Sequence, residues 1–231
     1  DLPTLRTRVR RDLHDEDALN YRWTDNELDR HIQQALGEVS VASPREMKAT
    51  LTTTAGSRDL SLATIAGLVD IEAVEHPTGL FPPSYIRFNV WSGTLTMLVG
   101  SAPSGGQGVN VYYGAMHTLD ATSSTLPVNL EDLVATGAGG YAALEWASFA
   151  TNRINVGGVD VWRQYLEWGQ DRMAAFMRRL SQLSRKNAVR ARSMYVPAHP
   201  GPSQTTDWGP YVCCAFWQAS EKCEYRVPTC R

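Results

Sequence analysis

The spacing of apolar residues changes twice along this chain, from a helical period to a period of two near residue 48 and back again near residue 119. A helical pattern does not settle as a strand, nor a strand pattern as a helix, so these two switches fix the order of layers before any motif is considered. Residues 1–47 carry Leu5, Val9 and Leu13 four apart, then Leu28, Ile32, Ala35, Leu36 and Val39, two apolar stripes that each need a partner. The second stripe opens on Thr24-Asp25-Asn26-Glu27, a capping box in which the Thr24 hydroxyl and the Glu27 carboxylate satisfy each other's backbone amides. Trp23 and Leu28 flank it as a hydrophobic staple, and Ser43-Pro44 closes the helix because a residue before proline is pushed out of the helical region. The arginines of the first helix are expected to point away from its apolar face, and Asp15-Glu16-Asp17 reads as solvated charge.

Residues 48–118 read as an antiparallel β module of five or six short strands. Residues 49–54 and 58–62 flank the turn Ala55-Gly56-Ser57, residues 69–75 largely alternate, and residues 85–91 and 94–99 flank Ser92-Gly93, a two-residue hairpin turn. A last strand covers 109–113 after Ser101–Gly108, which reads as a mobile hairpin loop.

The helical period returns in residues 119–186. One long helix is expected from Leu130 to about Arg153, and a second carries Val161, Trp162, Tyr165, Leu166, Met173, Phe176, Met177, Leu180 and Leu183. Gly and Ala crowd residues 135–143, and since each helical glycine costs about 1 kcal/mol against alanine, their concentration implies a closely crossing neighbour or a local break. Trp146, Trp162 and Trp168 are expected in the core or at a subunit interface. The fold class is therefore α+β: a helical bundle of two N-terminal and two long C-terminal helices with an inserted antiparallel β module.

Residues 187–231 are of another kind. Pro197, Pro200, Pro202, Pro210 and Pro228 forbid long helices, while Tyr195, Trp208, Tyr211, Phe216, Trp217 and Tyr225 are too apolar for a solvated tail. An extended C-terminal tail that lies on a partner is expected. Cys213, Cys214, Cys223 and Cys230 all fall here, without the paired spacing of a zinc site, so free thiols or an adventitious disulfide are expected and no metal.

Composition narrows the function. A net charge of -2 gives the chain no global attraction to nucleic acid or anionic membrane. Without an apolar run of about 18 residues or a signal-peptide pattern behind Asp1, Leu2 and Pro3, the chain is expected to be soluble and made in the cytoplasm. No nucleophile elbow, phosphate loop or paired histidine motif occurs, so neither catalytic residues nor a cofactor are expected. His14, His31, His76, His117 and His199 read as surface or turn residues. The strong charge asymmetry is the basic run from Arg172 to Arg192. Arg172, Arg178 and Arg179 read as cations opposing the helix dipole, and the cations from Arg185 onward as a docking patch for an acidic surface or passing DNA.

The Arg-rich first helix, Tyr21-Arg22-Trp23-Thr24-Asp25-Asn26-Glu27-Leu28, the strand Val111-Tyr112-Tyr113-Gly114, and Asp132-Leu133-Val134-Ala135-Thr136-Gly137-Ala138 running into Leu144-Glu145-Trp146 follow in an order and spacing that resembles the head-tail connector (adaptor, neck) proteins of tailed bacteriophages. The resemblance covers roughly residues 4–186. It implies a structural virion protein of the neck, a ring of about 12 copies beneath the portal protein that joins capsid to tail and lets genomic DNA pass through its lumen without sequence-specific binding. In such rings a C-terminal extension reaches the portal, which points to Arg185, Lys186, Arg190, Arg192, Tyr195, Trp208, Tyr211, Phe216 and Trp217 as residues that meet the portal or neighbouring subunits. A tail-terminator or stopper ring subunit is the alternative within the class, and a small DNA-binding regulatory protein the alternative outside it.

Overall fold

The computed structural model describes residues 1–150 and 160–195, with side chains in the last helix described through Asn187. These residues belong almost wholly to the first of two units, Asp1–Ala191 and Arg192–Arg231. Two helices open the chain, α1 (Leu2–Asp12) and α2 (Asp25–Ala42). Seven strands follow: β1 (Arg45–Thr52), β2 (Asp59–Ser61), β3 (Leu68–Glu75), β4 (Tyr85–Ile86), β5 (Phe88–Trp91), β6 (Thr94–Met97) and β7 (Gly108–Ala115). The chain then returns to helix in α3 (Val128–Ala150) and α4 (Val161–Tyr195). The α+β class, with antiparallel sheets inserted between two helical pairs, is as the changes of period require.

The capping box forms as its residues dictate: the Glu27 amide donates to Thr24 Oγ1 at 3.3 Å and the Thr24 amide to Glu27 Oε2 at 2.7 Å. Trp23 and Leu28, the expected staple, are both buried in the helical core beside Leu5, Val9, Ile32, Leu36, Leu133 and Phe176. Not every arginine of α1 faces outward. Arg10 is buried, donating to Asp15 at 2.6 Å, to the Trp23 carbonyl at 3.0 Å and to Asp25 at 2.7 Å. Asp15 is likewise buried rather than solvated, and it also accepts the Arg22 amide at 2.7 Å. The pair ties the α1–α2 connection to the bundle, and its burial is tolerable because the charges neutralise each other and their remaining donors and acceptors are met.

The strands form two antiparallel sheets, ordered β1-β7-β3-β4 and β2-β6-β5. They share a second core of Leu60, Leu62, Val74, Leu95, Met97, Val109 and Val111, among others. The Ser92-Gly93 hairpin forms between β5 and β6, with both residues at positive φ, 48° and 73°, as the tightest hairpin turns require. Sequence neighbours do not pair across Ala55-Gly56-Ser57. Instead β1 runs in register with β7 from Arg45↔Ala115 to Thr52↔Gly108, and the three-residue β2 joins β6. An eight-residue strand gains more from a full-length partner than from the short segment next to it in sequence. Nor is Ser101–Gly108 a mobile hairpin loop. It links the two sheets and is tied to buried Thr53, whose amide donates to the Gln107 carbonyl and whose carbonyl accepts the Gly106 amide, each at 2.9 Å.

Among the described residues, His31 and His117 are buried instead of lying at the surface. The ring nitrogens of His117 lie 3.0 Å from the carbonyl oxygens of Thr125 and Ser43, and its amide donates to Ser40 Oγ at 3.0 Å, which stitches the exit from β7 to the end of α2. His31 sits between α2 and α3, with Nε2 2.5 Å from Glu145 Oε2 and its ring stacked on Tyr141.

Candidate functional site

Helix α4 is seated by one face. Asp160 starts it, its carbonyl accepting the amides of Arg163 and Gln164. Tyr165, Trp168, Met173, Leu180 and Leu183 then pack on the helical core, and Phe176 is fully enclosed. The glycines of α3 are the sockets for these side chains. A Cβ on Gly137 would lie 2.8 Å from the Phe176 ring and 3.0 Å from Ala35, and one on Gly140 would lie 2.8 Å from Met173 Sδ. The close neighbours implied by the Gly/Ala run are α4, through Phe176 and Met173, and α2, through Ala35. At the far end Asn187 Nδ2 donates to the Ala42 carbonyl at 2.7 Å, satisfying one of the orphan acceptors at the end of α2.

The opposite face of α4 carries the charge. Arg178, Arg179, Arg185 and Lys186 are exposed, and none of them has an ion-pair partner among the described residues. Arg172 differs, since it reaches Asp12 at 3.3 Å. The reading of Arg178 and Arg179 as dipole-opposing cations does not hold, because α4 runs on to Tyr195 and the dipole effect fades within the last turn. The helix extends that far because the first proline after it is Pro197 and the residues up to there include good helix formers.

Two clefts border α4. One, of about 390 Å³, opens between its distal half and the end of α2, lined by Glu38, Val41, Leu180, Ser181, Ser184 and Arg185. The other, of about 410 Å³, lies beside the end of α1, lined by Asp12, Leu13, His14, Arg22, Tyr165 and Trp168 among others. There the Arg22 guanidinium lies 4.6 Å from the Trp146 ring centroid and 5.0 Å from that of Tyr165, a cation–π contact that fills the aromatic corner from within the chain. In the β module, hydrogen bonds from Asn110 and Tyr112, aided by one from the Gly79 amide, hold buried Glu75 below the usual carboxylate range. Its tyrosine partner is pushed up to about 12 by that bond. This acid is fully engaged in holding its own loop. Among the described residues no group of three or more His, Cys, Asp or Glu side chains is placed to hold a metal ion. No helix among them is long and apolar enough to cross a membrane.

Of the residues singled out in the sequence, Arg185 and Lys186 stand exposed on α4. Arg190, Arg192 and Tyr195 lie within α4 with side chains outside the described residues, and Trp208, Tyr211, Phe216, Trp217 and the cysteines lie outside them altogether. Sequence reasoning passed over the exposed apolar residues of the β module, with Phe81 99% and Trp91 82% exposed. For Trp91 a signal was present, since the alternation of residues 85–91 puts it with Tyr85, Arg87 and Asn89, all exposed.

The model of the SU10 adaptor protein family matches residues 1–201. This chain belongs to that family. Two solved structures are also similar. The first, from the neck of an empty GTA particle computed with C6 symmetry, is 15% identical with a TM-score of 0.28, covering 72% of this chain and 87% of that one. The second, from the neck of a native GTA particle computed with C12 symmetry, is 17% identical with a TM-score of 0.26, covering 71% and 89%. Assignment to the adaptor family rests on the match over residues 1–201 and not on these two likenesses. No curated protein matches the chain.

Proposed function

We propose that this adaptor-family chain is a structural ring subunit of a phage neck, about twelve copies standing beneath the portal, joining capsid to tail and leaving a lumen for genomic DNA. Family membership over residues 1–201 is the observation that carries the reading. The surface supports it. A chain that presents Val41 and Met177 on its bundle and Phe81 and Trp91 on its β module to solvent has apolar area to cover with copies of itself or with neighbours. In this reading Tyr195, Trp208, Tyr211, Phe216 and Trp217 fill pockets of the portal, as aromatic anchors do at interfaces. Arg185, Lys186, Arg190 and Arg192 precede those anchors in the sequence and meet an anionic counter-surface. The domain scheme is that of a bundle (1–47 and 119–186) for ring formation, a β module (48–118) on its edge, and a partner-binding tail (187–231). Once in the virion the subunit works without catalysis.

The mass of the complex formed by the full chain with its cognate portal tests this. Addition of portal should convert the chain into an assembly of about twelve copies per portal ring, and deletion of residues 196–231 should abolish that conversion while leaving the helical and sheet spectrum intact. A truncated chain that joins portal undiminished removes the anchoring role of the tail. Assembly on tail-tube protein instead of portal would favour a terminator or stopper.

A further inference from the structure

We propose that the outer face of α4 is a contact surface for the phosphate backbone of double-stranded DNA, read without regard to sequence. The inference rests on the connector reading for the presence of DNA nearby.

From Arg172 to Tyr195 the helix carries seven cations and no carboxylate. A helix face that is only solvated usually mixes both signs, with acidic and basic residues pairing one turn apart. Here the exposed cations fall into two rows. Arg178 and Arg185 are seven residues apart, two turns or roughly 10.5 Å, and Arg179 and Lys186 repeat that spacing one residue on. The Arg178–Arg185 row lies opposite the side that seats Phe176, Leu180 and Leu183, and the Arg179–Lys186 row flanks that side with its side chains exposed. Glu38, the carboxylate that lines the cleft beside Arg185, accepts the Tyr141 hydroxyl and forms no ion pair with the cations. The four positive charges are therefore uncompensated among the described residues, on a chain whose net charge is -2.

What lies between the cations decides the class of partner. Ser181, Gln182 and Ser184 are exposed there, and no aromatic or branched aliphatic side chain is exposed among them. A protein interface is anchored at its centre by large, mainly aromatic side chains, whereas on the helix itself the exposed apolar residue beside these cations is Met177. Arg, Lys, Ser and Gln side chains on a rigid element are what a hydrated phosphate backbone takes, since phosphates are met by charge and short polar donors and carry no sequence information.

Binding of mixed-sequence duplex DNA to the full chain, followed by fluorescence anisotropy between about 50 and 200 mM salt, tests the proposal. Each phosphate contact contributes about 0.9 to the slope of log affinity against log salt, so R178Q/R179Q/R185Q/K186Q should flatten the slope by up to roughly 3.6, about a hundredfold over this range. R163Q, at an exposed arginine outside the two rows, should bind as the unaltered chain does. The quadruple variant should melt as the unaltered chain does, because the altered side chains are exposed. An unchanged slope in it overturns the proposal, as does binding of polyglutamate as tight as that of duplex, which would assign the face to an acidic protein. Portal assembly and the salt slope of R178Q/R179Q, which leaves the portal-assigned Arg185 and Lys186 in place, separate the two readings. Assembly retained with the slope lost supports both, whereas assembly lost with the slope retained refutes the DNA contact and leaves the connector standing.

Discussion

Helices α3 and α4 lie side by side and are built to opposite specifications. Along α3, Leu130, Leu133, Val134, Ala135, Gly137, Ala138, Ala142, Ala143 and Ala147 are buried in a near-continuous run, because α1, α2 and α4 all pack on it. Small side chains are the way to keep three neighbours close. Along the described part of α4 only Gly169 and Phe176 are buried, large residues fill one side and cations occupy the other. Stability is concentrated where side chains are smallest, and the capacity to meet other molecules where they are longest.

The contrast is tested most severely at the point where the two helices meet. Phe176→Ala should cost about 3–5 kcal/mol, the usual penalty for emptying an enclosed aromatic site, read as a lowered denaturant midpoint. A loss below 1 kcal/mol would mean that α4 is not seated as described. Gly137→Ala comes next. Its Cβ would meet the Phe176 ring at 2.8 Å, so overpacking should cost about 1–3 kcal/mol. Two residues on, the same change should act in the other direction. A Cβ on Gly139 meets Trp168 at an ordinary 3.5 Å, so Gly139→Ala should stabilise by up to about 1 kcal/mol through helix propensity. Equal effects at the two glycines would refute the socket.

The smallest effect concerns the other side of α3. Burial lowers the pKa of His31; the Glu145 carboxylate partly opposes this and Arg30 adds to it. Its Nδ1 is buried without a hydrogen-bond partner, so a second ring proton would have nothing to bond. The folded chain therefore binds a proton at His31 less readily than the unfolded chain does. Stability on this account is fully present above the unfolded value of about 6.5 and falls as pH drops below it, by up to about 1 kcal/mol per unit until the folded value is reached. Thermal melts between pH 7 and 5 should show that decline in the unaltered chain and a flatter course in His31→Phe.

The stripes, the capping box, the hairpin turn and the Gly/Ala run of α3 were legible in the sequence because each is set by residues within a few turns of one another. The pairing of β1 with β7 was not, since its register is chosen between segments some sixty residues apart. Buried Arg10, Asp15, His31 and His117 escaped for a related reason. Polar residues go inside when partners from distant segments satisfy them, and nothing local announces such partners. At the candidate site the charge of Arg185 and Lys186 was plain. That Arg178 and Arg179 belong with them followed only from the length of α4, because a helix ending sooner would have given those arginines to its own dipole.

The register of β1 with β7 carries a consequence for how such chains vary. Because Arg45 lies opposite Ala115, the polypeptide leaves the helices and comes back to them through adjacent points, held together by the His117 stitch to Ser40 and Ser43. What hangs beyond that junction is grafted by a narrow stem. Whole sheets can be lengthened, trimmed or exchanged there while the host scaffold registers only the same small gap, so diversity among relatives should gather beyond the stem and conservatism within the bundle that bears it.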